Sequence, residues 1–407
     1  MATLLSPAPS PVPGPAASLR VRRPDLAQLG PNWYAVVMGT AITANGAAAL
    51  PVHWPGLTGF AELMWALGLA GLLVLGAARA VHLTRHRTAA RAHLLDEPAT
   101  AVFYGCPPMA LLSVGLGTLT VGSRVIGTGP AVALDLVLWT AGTLYALAVA
   151  AGIPYLMITR HTVSPLTANP TWLLPVVAPL VASATGPALV PHLPAGPARE
   201  ALLYGCAALF GIGLLATLAV LPVVLTGLVH SGLPALALTP TLFLVLGPLG
   251  QSTTAVHQLA DAAGPVLPEL APAARALAEL FGVAVLGAAM LWLPLAVIAN
   301  LRARRAGMGF AMTWWAFTFP VGTCVTGAAA LARHTGFPGF TALAAGLFVL
   351  LLAGWALAAA GTATGLAGGR LLARPAAGGA PGDRPGSGTR DSVTDRPDGR
   401  KNSTPRR

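Results

Sequence analysis

Ten apolar stretches recur along the chain, near residues 32–52, 60–81, 102–123, 131–159, 171–191, 200–229, 238–260, 274–300, 311–333 and 339–368. About 20 apolar residues coiled as a helix cross the ~30 Å hydrocarbon core of a bilayer. In lipid the backbone must also satisfy its own hydrogen bonds, which a helix does within one segment. The chain is 55% hydrophobic and 9% charged, with a mean hydropathy of +0.70. A soluble protein carries about 25% charged residues. The expected fold class is therefore an all-α membrane protein with ten transmembrane helices.

The formal charge of +11 does not point to nucleic acid. Residues 371–407 carry eight Lys/Arg against Asp383, Asp391, Asp395 and Asp398, and much of the remaining positive charge falls in short loops between apolar stretches. Segments 1–30 and 371–407, rich in Pro, Gly, Arg and Asp, cannot bury enough apolar surface and are expected to be disordered, which leaves residues 31–370 as one membrane domain. Residues 1–30 also lack the compact apolar core of a secretory signal. Arg85, Arg87, Arg91, Arg160, Arg302, Arg304 and Arg305 fall on one side of the expected topology, with Arg20, Arg22 and Arg23. Arg124, Arg199, Arg275 and Arg333 fall on the other. The positive-inside bias then predicts a multi-pass protein of the cell membrane with both termini cytoplasmic. Cys106, Cys206 and Cys324 lie in apolar runs without close spacing, which argues against disulfides or a metal cluster.

A period is superimposed on this pattern. Trp33, Phe103, Trp172, Phe243 and Trp314 open the odd-numbered stretches, and a helix breaker follows each in similar phase: Gly39, Pro108, Pro179, Pro248 and Pro320. The spacing of about 70 residues predicts five repeats, each a helical hairpin. Odd stretches are rich in Gly, Pro, Ser and Thr; even ones are smoother Leu/Ala/Val runs. Backbone groups freed by a kink survive at membrane depth only inside protein or beside a wet cavity, and small residues let helices approach closely. The odd helices are therefore expected inside, as a five-helix ring forming a pore, with the even helices facing lipid or a neighbouring subunit.

Three stretches carry a resemblance: PNWYAVVMGTAI at 31–42, NPTWLLPVVAPLVAS at 169–183 and WWAFTFPVG at 314–322. In this order and spacing the chain, over roughly residues 30–370, resembles the tellurite-resistance/dicarboxylate transporter family, which includes plant slow-type anion channels, fungal malate transporters and sulfite efflux pumps. The resemblance implies five hairpins, one pore per subunit, a homotrimer, and a phenylalanine on the ninth helix that plugs the pore. The matching residue is Phe319, before Pro320; Phe317, which points to another side of a helix, is the fallback.

No Lys or Arg is expected deep in a span. Glu62, Asp135, Glu200, Asp261 and Glu279 read as solvated residues near outer span ends, which leaves no carboxylate relay. The odd helices instead offer neutral donors, of which Thr40, Ser113, Ser183, Gln251, Ser252 and Thr323 are candidate pore-lining residues, with Asn45, Thr254 and Thr326 nearby. Hydroxyls can hold an anion weakly, as conduction requires, or bond their own helix backbone. His257 is a candidate pH sensor or a packed histidine of the outer rim. His82, His86, His161 and His230 read as solvated loop residues, and Trp33, Tyr34, Trp172, Trp314 and Trp315 as an interfacial aromatic belt. GLGTLTVG lacks the strand and acid of a dinucleotide loop, and HTVSPL lacks an acid partner for a hydrolase triad. The expectation is a transporter or channel rather than an enzyme, without catalytic residues, metal or cofactor. It passes small inorganic or organic anions (C4-dicarboxylate, sulfite, chloride or nitrate) through a phenylalanine-gated pore; the alternative is a proton-coupled dicarboxylate carrier.

Overall fold

A computed structural model describes residues 26–52 and 54–371. The expected disordered tails fall almost wholly outside the described residues. Numbered along the chain, the helices are α1 (Tyr34–Ala49), α2 (Leu57–Arg85), α3 (Arg87–Leu95), α4 (Pro98–Ile126), α5 (Thr128–Thr159), α6 (Pro170–His192), α7 (Pro197–Ser231), α8 (Leu246–Val266), α9 (Ala271–Arg305), α10 (Met312–Thr335) and α11 (Pro338–Ala367). No strand occurs among the described residues.

Eight of these helices are long and apolar enough to cross a membrane. α3 is a short connector, and two expected spans, α1 and α8, do not meet that standard. The 16 residues of α1 rise about 24 Å, short of a hydrocarbon core. α8 carries Gln251, Ser252, Thr253, Thr254, His257, Gln258 and Asp261 along one helix, too polar for an apolar window. Both are nonetheless mostly buried.

Burial separates the helices into two classes. Across the most apolar stretch of each helix, α6 is 94% buried, α10 89% and α4 61%, whereas α2, α5, α7, α9 and α11 are 22–33% buried. The buried helices are the Gly/Pro/Thr-rich ones, and their contacts run α1–α4–α6–α8–α10 and return to α1. Each of α2, α5, α7, α9 and α11 packs on the buried helix that precedes it in the chain. The exposed large hydrophobic residues of this second class are mostly Leu, Val and Ile, such as Leu73, Leu144, Leu215, Leu280 and Val349.

The sequence period has a local cause in backbone geometry. Trp33, Phe103, Trp172, Phe243 and Trp314 each lie in a 3₁₀ segment that leads into α-helix, directly in Pro31–Trp33, Val102–Gly105, Pro170–Trp172 and Leu236–Val245 and across Thr318 in Met312–Phe317. Pro108, Pro248 and Pro320 stand in the first α turn after that junction, where the missing N–H has no intrahelical acceptor to lose. Pro179 is interior to α6. α1 is continuous through Gly39; a Cβ there would overlap Thr318 Oγ1 and stand 2.8 Å from the Trp315 ring. The recurring residues thus mark 3₁₀-to-α junctions in three repeats, an interior proline in one and a close helix approach in another.

A tight backbone approach joins α8 to α10. A Cβ on Gly250 would lie 2.5 Å from the Cys324 nitrogen and 2.6 Å from the Thr323 carbonyl carbon, and backbone cannot move aside as a side chain does. Gly250→Val is expected to destabilise the fold by about 1–3 kcal/mol or more, read as a lower melting temperature and poorer yield. A variant as stable as the parent would refute this packing.

Candidate functional site

Phe319 follows Thr318, whose φ of −99° and ψ of −76° break the chain between the 3₁₀ lead-in and the α part of α10. It is 3% exposed. Two small cavities, of about 20 and 40 Å³, flank it. Each is lined by residues from all five buried segments. In the smaller these include Met38 of α1, Met109 of α4, Val177 of α6, Pro248 of α8 and Phe319 of α10. Met38, Leu174, Leu244, Phe319 and Pro320 line both, so Phe319 belongs to the wall the two share. The smaller cavity has no charged or hydroxyl-bearing lining residue. A water needs about 10–15 Å³ and two to four polar partners; the space suffices for little more, and the partners are lacking.

Phe317 lies elsewhere. Its ring meets Phe243 edge-on at 5.0 Å and Trp314 at 5.9 Å, and it lines a separate cavity of about 290 Å³ against α9 and α11.

The candidate hydroxyls divide by partner. Thr40 donates to the Val36 carbonyl (2.8 Å) and accepts from Trp355 Nε1 of α11 (3.1 Å), which turns it toward the outer class. Ser252 donates to the Leu249 carbonyl (3.0 Å). Thr323 donates to the Pro320 carbonyl (2.7 Å) and also reaches Gly247 O (3.3 Å). Thr254 bonds the Thr326 hydroxyl at 2.8 Å, so α8 and α10 are joined by side chains as well as glycine packing. The Ser113 carbonyl accepts from Asn45 Nδ2 (3.0 Å). The Ser183 hydroxyl is buried without a partner, and Gln251 is buried. Backbone bonding, left open at the sequence level, thus accounts for Ser252 and for part of the Thr40 and Thr323 geometry.

His257 is fully buried. Its Nδ1 meets the Thr253 carbonyl at 2.8 Å, and its ring stands edge-on to His334 at 4.7 Å. His334 Nε2 meets Asp261 Oδ1 at 2.8 Å, tying the last turn of α10 to α8. Sequence reading missed this His–His–Asp cluster, although the repeat contained a signal. Asp261 and His334 are 73 residues apart, Thr254 and Thr326 72, and Asn45 and Ser113 68. Residues one repeat apart face one another across neighbouring buried helices.

Several expectations are corrected. Asp135 is not a solvated end residue: it is 1% exposed, and neither carboxyl oxygen has a hydrogen-bond partner. α5 begins at Thr128, so Asp135 sits two turns inside, over Gly115 of α4, where a Cβ would collide with its Oδ1. Glu62, Glu200, Asp261 and Glu279 do keep partial or full exposure. Trp33, Tyr34, Trp314 and Trp315 are buried rather than forming a belt; the Trp315 indole donates to Thr362 Oγ1 at 2.9 Å, because these rings fill the 3₁₀ junctions. His82 and His161 are also buried, bonded to the Leu26 and Leu94 carbonyls. Arg79, passed over in the sequence, is buried near the end of α2 and donates to the Leu29 carbonyl and the Tyr104 hydroxyl. Cys106, Cys206 and Cys324 are buried free thiols.

Comparison with known proteins follows the same span of chain. A sulfite efflux pump of Trichophyton rubrum is 28% identical over 337 residues, covering 80% of this chain and 88% of its own. A sulfite efflux pump of Arthroderma otae is 27% identical over 355 residues, 84% and 92% of the two chains. An uncharacterised transporter of Methanocaldococcus jannaschii is 25% identical over 329 residues, 80% and 90%. The family profile described as SLAC1, voltage-dependent anion channel, matches residues 28–363, which take in all five buried segments and both cavities beside Phe319. The chain belongs to this voltage-dependent anion channel family, a family of channels and transporters rather than of enzymes.

Proposed function

We propose that the protein passes small anions across a cell membrane through a path between α1, α4, α6, α8 and α10, closed at Phe319. One observation carries this reading: five segments converge on two cavities that share Phe319 as a wall. An apolar constriction of this kind stops ions by dewetting. Ten spans arranged as five hairpins follow if the short α1 and the polar α8 cross the membrane shielded by the other helices. Seven loop arginines against four favour cytoplasmic termini, and the homotrimer is carried over from the family resemblance.

The substrate class is sulfite, a C4-dicarboxylate, chloride or nitrate; the sulfite efflux pumps among its relatives favour testing sulfite first. Purified protein in liposomes, assayed over this panel with and without a pH gradient, should show anion flux independent of the gradient. Absence of flux for every anion would overturn the reading.

The second reading, proton-coupled dicarboxylate transport, draws on the buried Asp135 and on His257 beside His334 and Asp261. It requires flux that follows the imposed pH gradient and loses that dependence in His257→Gln.

A further inference from the structure

The 290 Å³ cavity lies away from the path through Phe319. Its floor is apolar and aromatic, formed by Phe243, Trp314, Phe317 and Gly354. Its mouth opens between α9 and α11, where Leu301 and Leu357 are 53% and 56% exposed. A volume near 300 Å³ is the lower end of ligand-pocket sizes, enough for part of one hydrocarbon chain but not a whole lipid. Within the membrane a dry, outward-opening groove of this composition meets acyl chains before anything else.

Charge at one end of the groove specifies the rest of the ligand. Arg304 lines the mouth. One guanidinium nitrogen donates to the Met308 carbonyl at 3.0 Å, and the group lies 5.0 Å over the Trp314 ring. It remains exposed, as do Arg302 and Arg305 on the same last turn of α9. Neither ion pair found among the described residues involves any of the three. Basic residues just beyond a span attract anionic headgroups at about 1 kcal/mol each. This end of α9 also belongs to the arginine-rich side of the loops, which faces the anionic cytoplasmic leaflet under the positive-inside rule.

We infer that the groove between α9 and α11 is a binding site for an anionic phospholipid, with one acyl chain over Phe317 and the headgroup on Arg304. A functional consequence rests on the gate reading above. Phe317 is separated from Phe319 only by Thr318, where the backbone turns between the 3₁₀ and α parts of α10. A chain pressed on Phe317 therefore acts on the segment that sets Phe319.

The test places the full-length protein in nanodiscs of phosphatidylglycerol or phosphatidylcholine, reads retained lipid by native mass spectrometry, and measures flux in matching liposomes. The parent protein should retain phosphatidylglycerol in preference to phosphatidylcholine. Ala353→Phe, which fills the groove from its exposed rim, should lower retention at least about tenfold. Leu357→Trp, a second rim variant, should do the same if Ala353→Phe folds poorly. Arg304→Gln should reduce the preference for the anionic lipid about fivefold. Equal retention of the two lipids by the parent, or undiminished retention in both rim variants, would overturn the site. So would a rim variant that alters oligomeric state with lipid unchanged, because a second copy would then cover the groove. Flux should differ between the two lipids in the parent and not in the rim variants. Lipid retention as expected with no flux difference would leave the site standing and remove only its link to Phe319.

Discussion

Phe319→Ala should raise anion flux in liposomes by an order of magnitude or more. The side chain belongs to the wall between cavities of about 20 and 40 Å³, each too small to pass a hydrated anion. Removing the ring joins them into one space lined by α1, α4, α6, α8 and α10. Lowering a barrier by about 1.4 kcal/mol is already tenfold in rate, and an apolar plug blocks by more than its contact area because it excludes the water an ion needs. The substitution also removes buried packing, at a cost of about 3–5 kcal/mol in a well-packed core, so the melting temperature should fall. Phe348→Ala separates the two effects. Phe348 is equally buried, but it packs edge-on against Phe60, 6.3 Å between centroids, and lies near Gly46, outside both cavities. It should lose comparable stability with no gain in flux. Unchanged flux in Phe319→Ala, or an equal gain in Phe348→Ala, would remove Phe319 as the gate.

How far the sequence foretold this arrangement depended on which interaction placed each residue. Helical class and the recurring aromatic helix starts were legible because apolar length and the Trp/Phe–Pro spacing are local properties. The partition into buried and exposed helices was legible for the same reason: Gly, Pro and Thr enrich the segments that pack on all sides. Depth was not legible. Asp135 read as a residue of the outer surface because the span appeared to begin near it, whereas α5 starts at Thr128 and Gly115 on another helix makes room for the carboxyl. Side-chain direction was equally hidden. Thr40 belongs by sequence with the polar residues of the buried helices, yet its bond to Trp355 depends on a partner 315 residues away. The aromatic openers misled for a different reason: a Trp at a helix start fits an interfacial belt and a packed 3₁₀ turn equally well, and the junction geometry selects the second. The cluster of His257, His334 and Asp261 was within reach, had the 70-residue period been read across helices rather than only along them.

Asp135 offers the strongest test of what that misplaced depth means. A carboxylate with both oxygens buried and unpartnered is a substantial electrostatic liability in a helix bundle: a charged side chain costs about 2.5–3.5 kcal/mol at the centre of a spanning helix on translocation-based scales, and less two turns from its start. Replacing it with asparagine keeps the shape over Gly115 and removes the charge. Asp135→Asn should therefore stabilise the protein by about 1–3 kcal/mol at neutral pH. A thermal-shift assay in detergent should register this as a melting temperature a few degrees higher. Under the channel reading its anion flux should stay within about twofold of the parent, with or without a pH gradient. A lower melting temperature would mean that the carboxylate has a stabilising partner, and the liability argument would fall. If instead the parent's flux follows the gradient and Asp135→Asn alone loses that response, Asp135 carries the coupled proton. The carrier reading would then displace the passive one, because a path that only excludes ions by dewetting at Phe319 has no use for a titratable group two turns inside an outer helix.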